Sequence, residues 1–333
     1  MSAPAALIRR AVAALARGEL VAFPTETVYG LGADAANPAA IARLYALKGR
    51  PSDHPVIVHI VHPAGLAHWV REISPPARAL VAACWPGPLT LVLPRARHVL
   101  DAVTGGQDTV AVRCPAHPLA QALLAACAAR GIYGLVAPSA NRFGRISPTQ
   151  AAHVHAEFGA ALEIVLDGGA CAVGIESTIV DVVGAIPRVL RPGMLDEAQV
   201  ARIVGNALGA ADAPAPRVPG ALPAHYAPRT PLVLGLASAC VERAVALLAR
   251  QARPALFVSA TTLAKIAAPG AVVGLVAPAT ASAYARVLYA SLRELDGAAC
   301  AEIIVELPPS SGAWRGIHDR LARAACGAPR AAT

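Results

Sequence analysis

Lysine is rare in this chain, and one of its two lysines stands beside an arginine. Lys48 and Lys265 are the only lysines among 29 basic Lys and Arg residues, and Lys48 is separated from Arg50 by one glycine. An ammonium point charge next to a planar guanidinium fork is a suitable pair of donors for phosphate groups. The same two charges would also complement the dipole at the C-terminal end of a helix. The residues alone leave both interpretations open.

Polar side chains follow several strand-like apolar runs in the first 200 residues. The hydroxyl-rich run 24–32 follows an apolar segment, Arg113 ends the apolar run 110–112, and Ser139 and Asn141 follow another. Groups at strand ends can reach a ligand from the edge of a sheet, and an arginine there can bind a carboxylate with two N–H groups. A surface charge or a tight turn would explain each motif singly. The same theme returns at residues 174–179 and 190–193, so several such motifs on one domain favour a binding site.

Further patterns in the sequence argue against a dinucleotide site, a P-loop and a metal site. The run 30–35 matches G-x-G-x-x-A, but a new helix begins only at Asn37-Pro38, so turn glycines are favoured over a dinucleotide site. The chain has no G-x-x-x-x-G-K-[ST] motif, so an ATP site would have to be built differently. His153 and His155 form an H-x-H pair without a further ligand cluster, and the seven cysteines show no C-x-x-C spacing.

The pattern of elements predicts an α/β protein with two domains. Strand-like and helix-like runs alternate through residues 1–212, which is typical of a twisted mixed sheet with helices. Residues 213–231 carry six prolines and predict an extended linker. Residues 232–333 alternate regularly between strand and helix, which predicts a small parallel α/β domain of Rossmann-like type.

Composition bounds the function class. The 333 residues are 56% hydrophobic with a net charge of +8, which permits a large core and favours polyanionic partners such as nucleotides or RNA. No apolar run reaches the ~18 residues of a membrane span, and the cysteine pattern fits a reducing compartment. We therefore expect a cytoplasmic protein with no membrane partner.

Taken in order, the motifs resemble those of a known family. The shared strings are P-T-E-T-V-Y-G-L-G, K-G-R-P, W-P-G-P-L-T-L-V-L, A-P-S-A-N, S-P-T, D-G-G, G-I-E-S-T-I-V-D and L-R-P-G. Over residues 5–210 they look like the YrdC-type domain of threonylcarbamoyl-AMP synthases. The run P-G-x-x-x-x-H-Y-A-P at 219–228 is similar to the linker of the two-domain members, and the C-terminal region resembles their second domain.

The resemblance implies a reaction and a fold. L-threonine, bicarbonate or CO2, and ATP with Mg2+ give threonylcarbamoyl-AMP and pyrophosphate, and partner proteins then use the product to modify adenosine 37 of tRNA. A direct contact with tRNA is a further possibility of this assignment. The family fold is a twisted α/β sheet with a large concave cavity. No protein side chain is expected to hold the metal, which would enter with ATP.

The resemblance also assigns residues. Threonine is expected near Thr27, His59, Arg113, Ala137 and Ser177. The nucleotide is expected near Lys48, Arg50, His54, Thr109, Ser139, Asn141, Ser147, Arg191 and Tyr226. Lys48 and Arg50 would be the catalytic cations, and Tyr226, from the linker, would cover the nucleotide as a lid. At His54-Pro55-Val56 the family usually has Asn-Pro-Leu, so this chain departs from the family pattern at His54.

Two rival functions remain at this stage. One is a non-catalytic RNA-binding protein, although the 4% aromatic content lacks the aromatic and basic interleaving of single-strand binders. The other is a carbamoyltransferase using carbamoyl phosphate, although the extra modules of such relatives are absent from this sequence. Threonine-dependent release of pyrophosphate from ATP would separate both from the synthase.

Overall fold

The computed structural model describes residues 3–205, 207–209, 215–266 and 272–329. The chain forms two compact units. One contains Met1–Phe143 and Ser147–Ala221, and the other contains Gly144–Ile146 and Leu222–Thr333. The predicted domain boundary at 212/213 lies outside the described residues, and the rest of the predicted linker is divided between the two units at 221/222.

The strands of the first unit form one mixed sheet in the order β7-β1-β2-β6-β3-β5-β4-β8-β9. In chain order they are β1 (Val21–Phe23), β2 (Gly30–Asp34), β3 (Ile57–His59), β4 (Leu89–Pro94), β5 (Thr109–Arg113), β6 (Leu135–Val136), β7 (Ile164–Val165), β8 (Thr178–Asp181) and β9 (Arg188–Arg191). The pairs β1–β7, β3–β5 and β4–β8 are parallel, and the other neighbours are antiparallel. The mixed sheet predicted from the alternating runs is confirmed.

Helices of the first unit begin and end where local signals place them. They are α1 (Ala3–Ala16), α2 (Pro38–Lys48), α3 (Leu66–Trp69), α4 (Pro75–Cys84), α5 (Asp101–Thr104), α6 (Pro118–Ala128), α7 (Ala151–Phe158) and α8 (Glu197–Val204). The Asn37 side chain caps α2 by accepting from two backbone N–H groups, and Pro38 occupies its first turn. Gly49 ends α2 in the left-handed conformation, which fixes the position of Lys48 one residue earlier.

The glycines of the G-x-G-x-x-A run lie in a strand, so the turn interpretation is wrong. Gly30 and Gly32 belong to β2, inside the sheet between β1 and β6. A Cβ on Gly32 would lie 2.9 Å from Phe23, and one on Gly30 would lie 3.2 Å from the Cβ of Ala137. Glycine is needed at both positions because side chains from neighbouring segments leave too little room for a Cβ.

The second unit has a parallel sheet in the order β10-β13-β11-β12. Its strands are β10 (Leu232–Gly235), β11 (Pro254–Val258), β12 (Val273–Val276) and β13 (Glu302–Glu306). Its helices are α9 (Ala237–Ala249), α10 (Ala260–Ala264), α11 (Ala281–Asp296) and α12 (Arg315–Gly327). The small parallel α/β domain predicted from residue 232 onward is confirmed.

Apolar side chains pack against both faces of the large sheet and hold its strand ends in place. On one face, α1 and α6 pack on Val21, Phe23 and Leu135. On the other, α2 and α4 pack on strands β2 and β4. Val218, from the proline-rich segment, packs on Ile57, Val92 and Ile179 within the same unit. In the described part of the chain no helix is long and apolar enough to cross a bilayer.

Candidate active site

Two parallel strands of the first unit end side by side in a histidine and an arginine. His59 ends β3, Arg113 ends β5, and the two residues are direct register partners. Both side chains are buried. The carboxyl ends of β3 and β5 therefore place an imidazole and a guanidinium at one edge of the sheet.

The Arg113 guanidinium is held by three oxygen atoms. Nε donates to the carbonyl of Gly87 at 3.2 Å, Nη1 donates to Thr27 Oγ1 at 2.7 Å, and Nη2 donates to Glu26 Oε1 at 2.6 Å. The other Glu26 oxygen accepts from the backbone N–H of Ala116 at 3.0 Å. Burying either charge alone would be costly, so the two form a compensated ion pair.

His59 is a neutral acceptor in this cluster. Burial, and next the charge of Arg113, lower the pKa of His59 from 6.5 to about 3. Its Nδ1 lies 3.2 Å from the carbonyl oxygen of Ile57, and this contact assigns the proton to Nδ1. The lone pair is then on Nε2, which can accept a hydrogen bond from a ligand.

A second arginine joins the cluster through Ser177. Ser177 Oγ lies 2.7 Å from Thr90 Oγ1, and Thr90 is the register partner of Arg113 on β4. Arg191 Nη2 donates to Ser177 Oγ at 3.1 Å and to the Ser177 carbonyl at 2.9 Å, and Nη1 donates to the carbonyl of Pro219 at 2.9 Å. Thr27 is thus bonded to Arg113, His59 is its register partner on β3, and Ser177 is bonded to its register partner on β4. All four residues are buried.

Gly87 shows why the W-P-G-P run has a fixed shape. A Cβ at Gly87 would lie 2.2 Å from the carbonyl oxygen of Cys84, so no other residue fits this backbone. The Gly87 N–H donates to the carbonyl of Cys114 at 2.8 Å. The same residue therefore joins the start of β4 to the end of β5 and presents its carbonyl to Arg113.

Lys48 is a buried cation among carbonyl dipoles. Its Nζ donates to the carbonyls of Ser139 and Asn141, each at 2.5 Å. Burial, and next the charge of Arg50, hold the pKa of Lys48 well below its usual range. A bound anion would stabilise the protonated form of a lysine in this position, because it replaces the hydration lost on burial.

Arg50 and His54 pack around one aromatic ring. The Arg50 guanidinium lies 5.6 Å from the centre of the Phe143 ring, and its Nη2 donates to the carbonyl of Pro55 at 2.8 Å. The His54 ring meets Phe143 edge-on at 5.5 Å. Burial, and next the charge of Arg50, lower the pKa of His54, so this residue is a neutral group near neutral pH.

The backbone of residues 27–29 is hydrogen-bonded to segments of both the Arg113 cluster and the Lys48 cluster. The Tyr29 carbonyl accepts from Ala140 N–H at 2.8 Å, next to the Lys48 partners, whereas the Thr27 carbonyl accepts from Gly174 N–H at 3.1 Å, close to Ser177. Ser147 Oγ donates to Glu176 Oε1 at 2.6 Å, which joins the S-P-T and G-I-E-S motifs. Residues 26–30 therefore link the Arg113 cluster, through Glu26 and Thr27, to the segment 139–141 whose carbonyls bind Lys48.

Three expected residues have other surroundings. The Ala137 N–H donates to the carbonyl of Ile57 at 3.0 Å, so this residue is positioned by its backbone. Thr109 begins β5, about 13 Å of strand away from Arg113. Tyr226 belongs to the second unit, with a φ of 60°, and its ring stacks on Tyr289 at 5.6 Å. A role for Thr109 and Tyr226 at the nucleotide stays a prediction.

Sequence reasoning did not single out two buried carboxylates. Glu26 pairs with Arg113, and Glu176 accepts from Ser147. Both lie inside quoted motifs, directly before Thr27 and Ser177. A carboxylate flanked by small hydroxyl residues at a strand end was the available signal. Across the described residues, no group of three His, Cys, Asp or Glu side chains could hold a metal ion.

Two protein-family models match this chain. Residues 13–193 match the Sua5, YciO and YrdC family model, described as "Telomere recombination", and residues 185–326 match the model of the threonylcarbamoyl-AMP synthase C-terminal domain.

Relatives named threonylcarbamoyl-AMP synthase align over much of the chain. Those from Pyrococcus abyssi and Bacillus subtilis are each 42% identical over 232 residues, which is 68% of this chain and 67% and 66% of theirs. The crystal structure of P. abyssi Sua5 complexed with L-threonine is similar with a TM-score of 0.87 at 34% identity, covering 97% of this chain and 95% of that one. The chain therefore belongs to the threonylcarbamoyl-AMP synthase family of enzymes.

Proposed function

We propose that this chain makes threonylcarbamoyl-AMP and pyrophosphate from L-threonine, bicarbonate or CO2, and ATP. The observation that carries the proposal is a pair of buried cation clusters in one unit, linked by residues 26–30. One is centred on Arg113 and the other on Lys48. A reaction that joins an amino acid to a nucleotide needs one site for the carboxylate of the amino acid and one for the phosphates.

Threonine binds in the Arg113 cluster. The guanidinium donates charge-assisted hydrogen bonds to the α-carboxylate, and its orientation is already fixed by Thr27 and Gly87. The hydroxyl of Ser177 and the neutral imidazole of His59 complete the pocket. The relative from P. abyssi, crystallised with L-threonine, supports this choice of amino acid.

ATP binds at the Lys48 cluster. Lys48 and Arg50 are the buried cations of this cluster, and they lie on the same unit as Ser139, Asn141 and Ser147. Arg191, which bonds to Ser177, is a further buried cation proposed to contact the nucleotide. Phosphate oxygens would replace part of the carbonyl contacts of Lys48 and stabilise its protonated form. The triphosphate is therefore held by fixed positive charges.

The chemistry needs positioning and charge compensation. The threonine amine captures CO2 as a carbamate with loss of a proton. A carbamate oxygen then attacks the α-phosphorus, and the bond to the β-phosphate oxygen breaks to release pyrophosphate. Lys48 and Arg50 offset the negative charge on the phosphates during this displacement. No covalent bond to the protein is required.

Mg2+ is proposed to enter with ATP. The Ser147 hydroxyl and the Glu176 carboxylate could contribute oxygen ligands, which fits an ion held mainly by phosphates and water. When bound, the ion would add to the neutralisation of phosphate charge.

We also propose which proteins use the product. The mixed anhydride of threonylcarbamate and AMP is an activated acyl donor, so transfer proteins that modify adenosine 37 of tRNA are the proposed consumers. Contact of this chain with tRNA, and a cytoplasmic location, rest on the family assignment.

The test is a reconstitution with single omissions. Purified full-length protein is incubated with ATP, Mg2+, bicarbonate and L-threonine, and pyrophosphate and the product mass are measured. We expect release only when all components are present. Pyrophosphate release without threonine would contradict the synthase. Activity that requires carbamoyl phosphate in place of bicarbonate would favour a carbamoyltransferase, and RNA binding without turnover would favour the non-catalytic rival.

A further inference from the structure

The Arg113–Glu26 ion pair has hydrogen-bonding capacity left on both sides. A guanidinium has five N–H donors, and among the described residues Arg113 uses three of them, toward Gly87, Thr27 and Glu26. A carboxylate has about four lone-pair sites, and within the same part of the chain the Glu26 side chain uses two of them, toward Arg113 and Ala116. The pair therefore offers further donors and further acceptors next to each other.

The charges of the pair match one class of ligand. A lone buried arginine would attract any carboxylate, whereas this arginine is compensated by Glu26 at 2.6 Å with both side chains nearly inaccessible to solvent. A net anion approaching the pair is attracted by Arg113 and repelled by Glu26. A zwitterion can place its carboxylate on the cation and its ammonium on the anion, so both Coulomb interactions are favourable.

Other carboxylates of the site are engaged elsewhere. Glu176 accepts from Ser147 at 2.6 Å, in the motif expected to contact the nucleotide. Asp167 accepts from the Gly169 N–H at 2.9 Å and lies 3.2 Å from the Tyr29 hydroxyl. Glu26 is the carboxylate bonded to the Arg113 guanidinium itself, one residue before Thr27. The α-ammonium and α-carboxylate of an amino acid are separated by a single carbon, which suits two binding groups in direct contact.

We propose that Glu26 is a specificity-determining residue that binds the α-ammonium of the substrate, so that Glu26 and Arg113 together select an α-amino acid zwitterion. The inference rests on the proposed function, because it assigns the second half of the threonine pocket. It also explains why a site for an anionic carboxylate contains a buried anion.

A purely positioning role for Glu26 predicts a different outcome. If the carboxylate only orients Arg113, then any ligand with a carboxylate depends on Glu26 equally. If Glu26 binds the ammonium, ligands without an ammonium do not benefit from it, and they gain from its removal because a repulsive charge disappears. Two ligands that differ only in the amino group therefore separate the roles.

The experiment compares L-threonine with (R)-3-hydroxybutanoate, which keeps the carboxylate and hydroxyl and lacks the amino group. Dissociation constants for full-length protein without ATP are measured by calorimetry for the wild type and Glu26→Gln. We expect Glu26→Gln to weaken threonine binding by at least about tenfold, while binding of (R)-3-hydroxybutanoate is unchanged or tighter. The exposed Glu72→Gln variant is the matched control and should leave both constants unchanged.

A second variant keeps the test decisive if Glu26→Gln does not fold. Glu26→Asp retains the charge and withdraws it by one methylene, so it should lower the preference for threonine over (R)-3-hydroxybutanoate less than Glu26→Gln. Equal losses for both ligands in either folded variant would overturn the inference and leave the proposed function intact. A wild type that does not bind threonine would instead overturn the proposed function and this inference with it.

Discussion

The two cation clusters of the first unit are compensated in different ways. Arg113 is neutralised by a carboxylate at 2.6 Å, whereas Lys48 is held by two carbonyl oxygens, and burial lowers its pKa. The Arg113–Glu26 pair is therefore nearly neutral before a ligand binds, whereas the hydrogen bonds of the Lys48 ammonium go to neutral carbonyl groups. The difference teaches that the pair suits a ligand carrying both charges, and that Lys48 suits an anion.

The largest effect should follow from removing a positive charge from the Lys48 cluster. Lys48→Ala or Arg50→Ala should lower turnover by about 100- to 1,000-fold or more, because each removes a preorganised positive charge from the phosphate site. Threonine binding should persist, since the Arg113 cluster is unchanged. Pyrophosphate release and threonine calorimetry measure the two effects.

Lys265→Ala is the matched control for that prediction. Lys265 is the only other lysine and lies exposed in the second unit, so its loss should leave turnover unchanged. A Lys48→Ala enzyme that still forms threonylcarbamoyl-AMP at the wild-type rate would show that the cluster does not hold the phosphates.

The next effect concerns the compensated cluster. Arg113→Lys keeps the charge opposite Glu26 and loses the planar fork, so the KM for threonine should rise roughly 10- to 100-fold. ATP binding should be unaffected. A variant in which threonine and ATP affinities fall together would mean that the two clusters do not act as separate sites.

The pH dependence sharpens the contrast further. In the free protein Lys48 loses its proton below the usual lysine range, and a bound triphosphate favours the protonated form. Binding of ATP above that pKa therefore takes up a proton, and the affinity should fall as the pH rises, by at most about tenfold per pH unit. In Lys48→Arg the guanidinium stays charged, so the slope should vanish in titrations of ATP from neutral to alkaline pH. An equal slope in both proteins would exclude Lys48 as its source.

The smallest effect tests the backbone run between the clusters. The buried Tyr29 hydroxyl lies 2.8 Å from the Gly169 carbonyl and accepts from Gly168 N–H at 3.2 Å. Tyr29→Phe leaves both backbone groups without this partner and should lower the free energy of unfolding by about 1–3 kcal/mol, with only a few-fold loss of turnover. Thermal denaturation measures the change in stability. The exposed Tyr133→Phe is the control, and an identical melting temperature for both variants would contradict the role of Tyr29.

Regular elements could be predicted where the sequence carries local signals. The cap at Asn37-Pro38 and the regular alternation after residue 232 gave helices and strands at nearly their observed positions. The glycine run 30–35 was misinterpreted, because the reason for its glycines is the side chain of Phe23 on the neighbouring strand. Such a long-range close approach leaves no local trace.

The candidate site could also be predicted only in part from the sequence. Cations at strand ends, such as Arg113, could be identified from an arginine that ends an apolar run. Their partners could not, because Glu26 and Thr27 are 87 and 86 residues away from Arg113 in the chain. Which carboxylate compensates which cation is decided by strand order, and strand order follows from the fold as a whole.

The packing of Val218 and the Arg191–Pro219 hydrogen bond set a practical limit on dissecting this protein. Both residues lie beyond position 212, where sequence composition suggests cutting. A fragment that stops there would expose apolar surface on the sheet and remove an acceptor from Arg191. A fragment meant to contain the first unit should therefore extend to residue 221. A loss of activity in a shorter fragment would indicate damage to this unit and would give no information on the second.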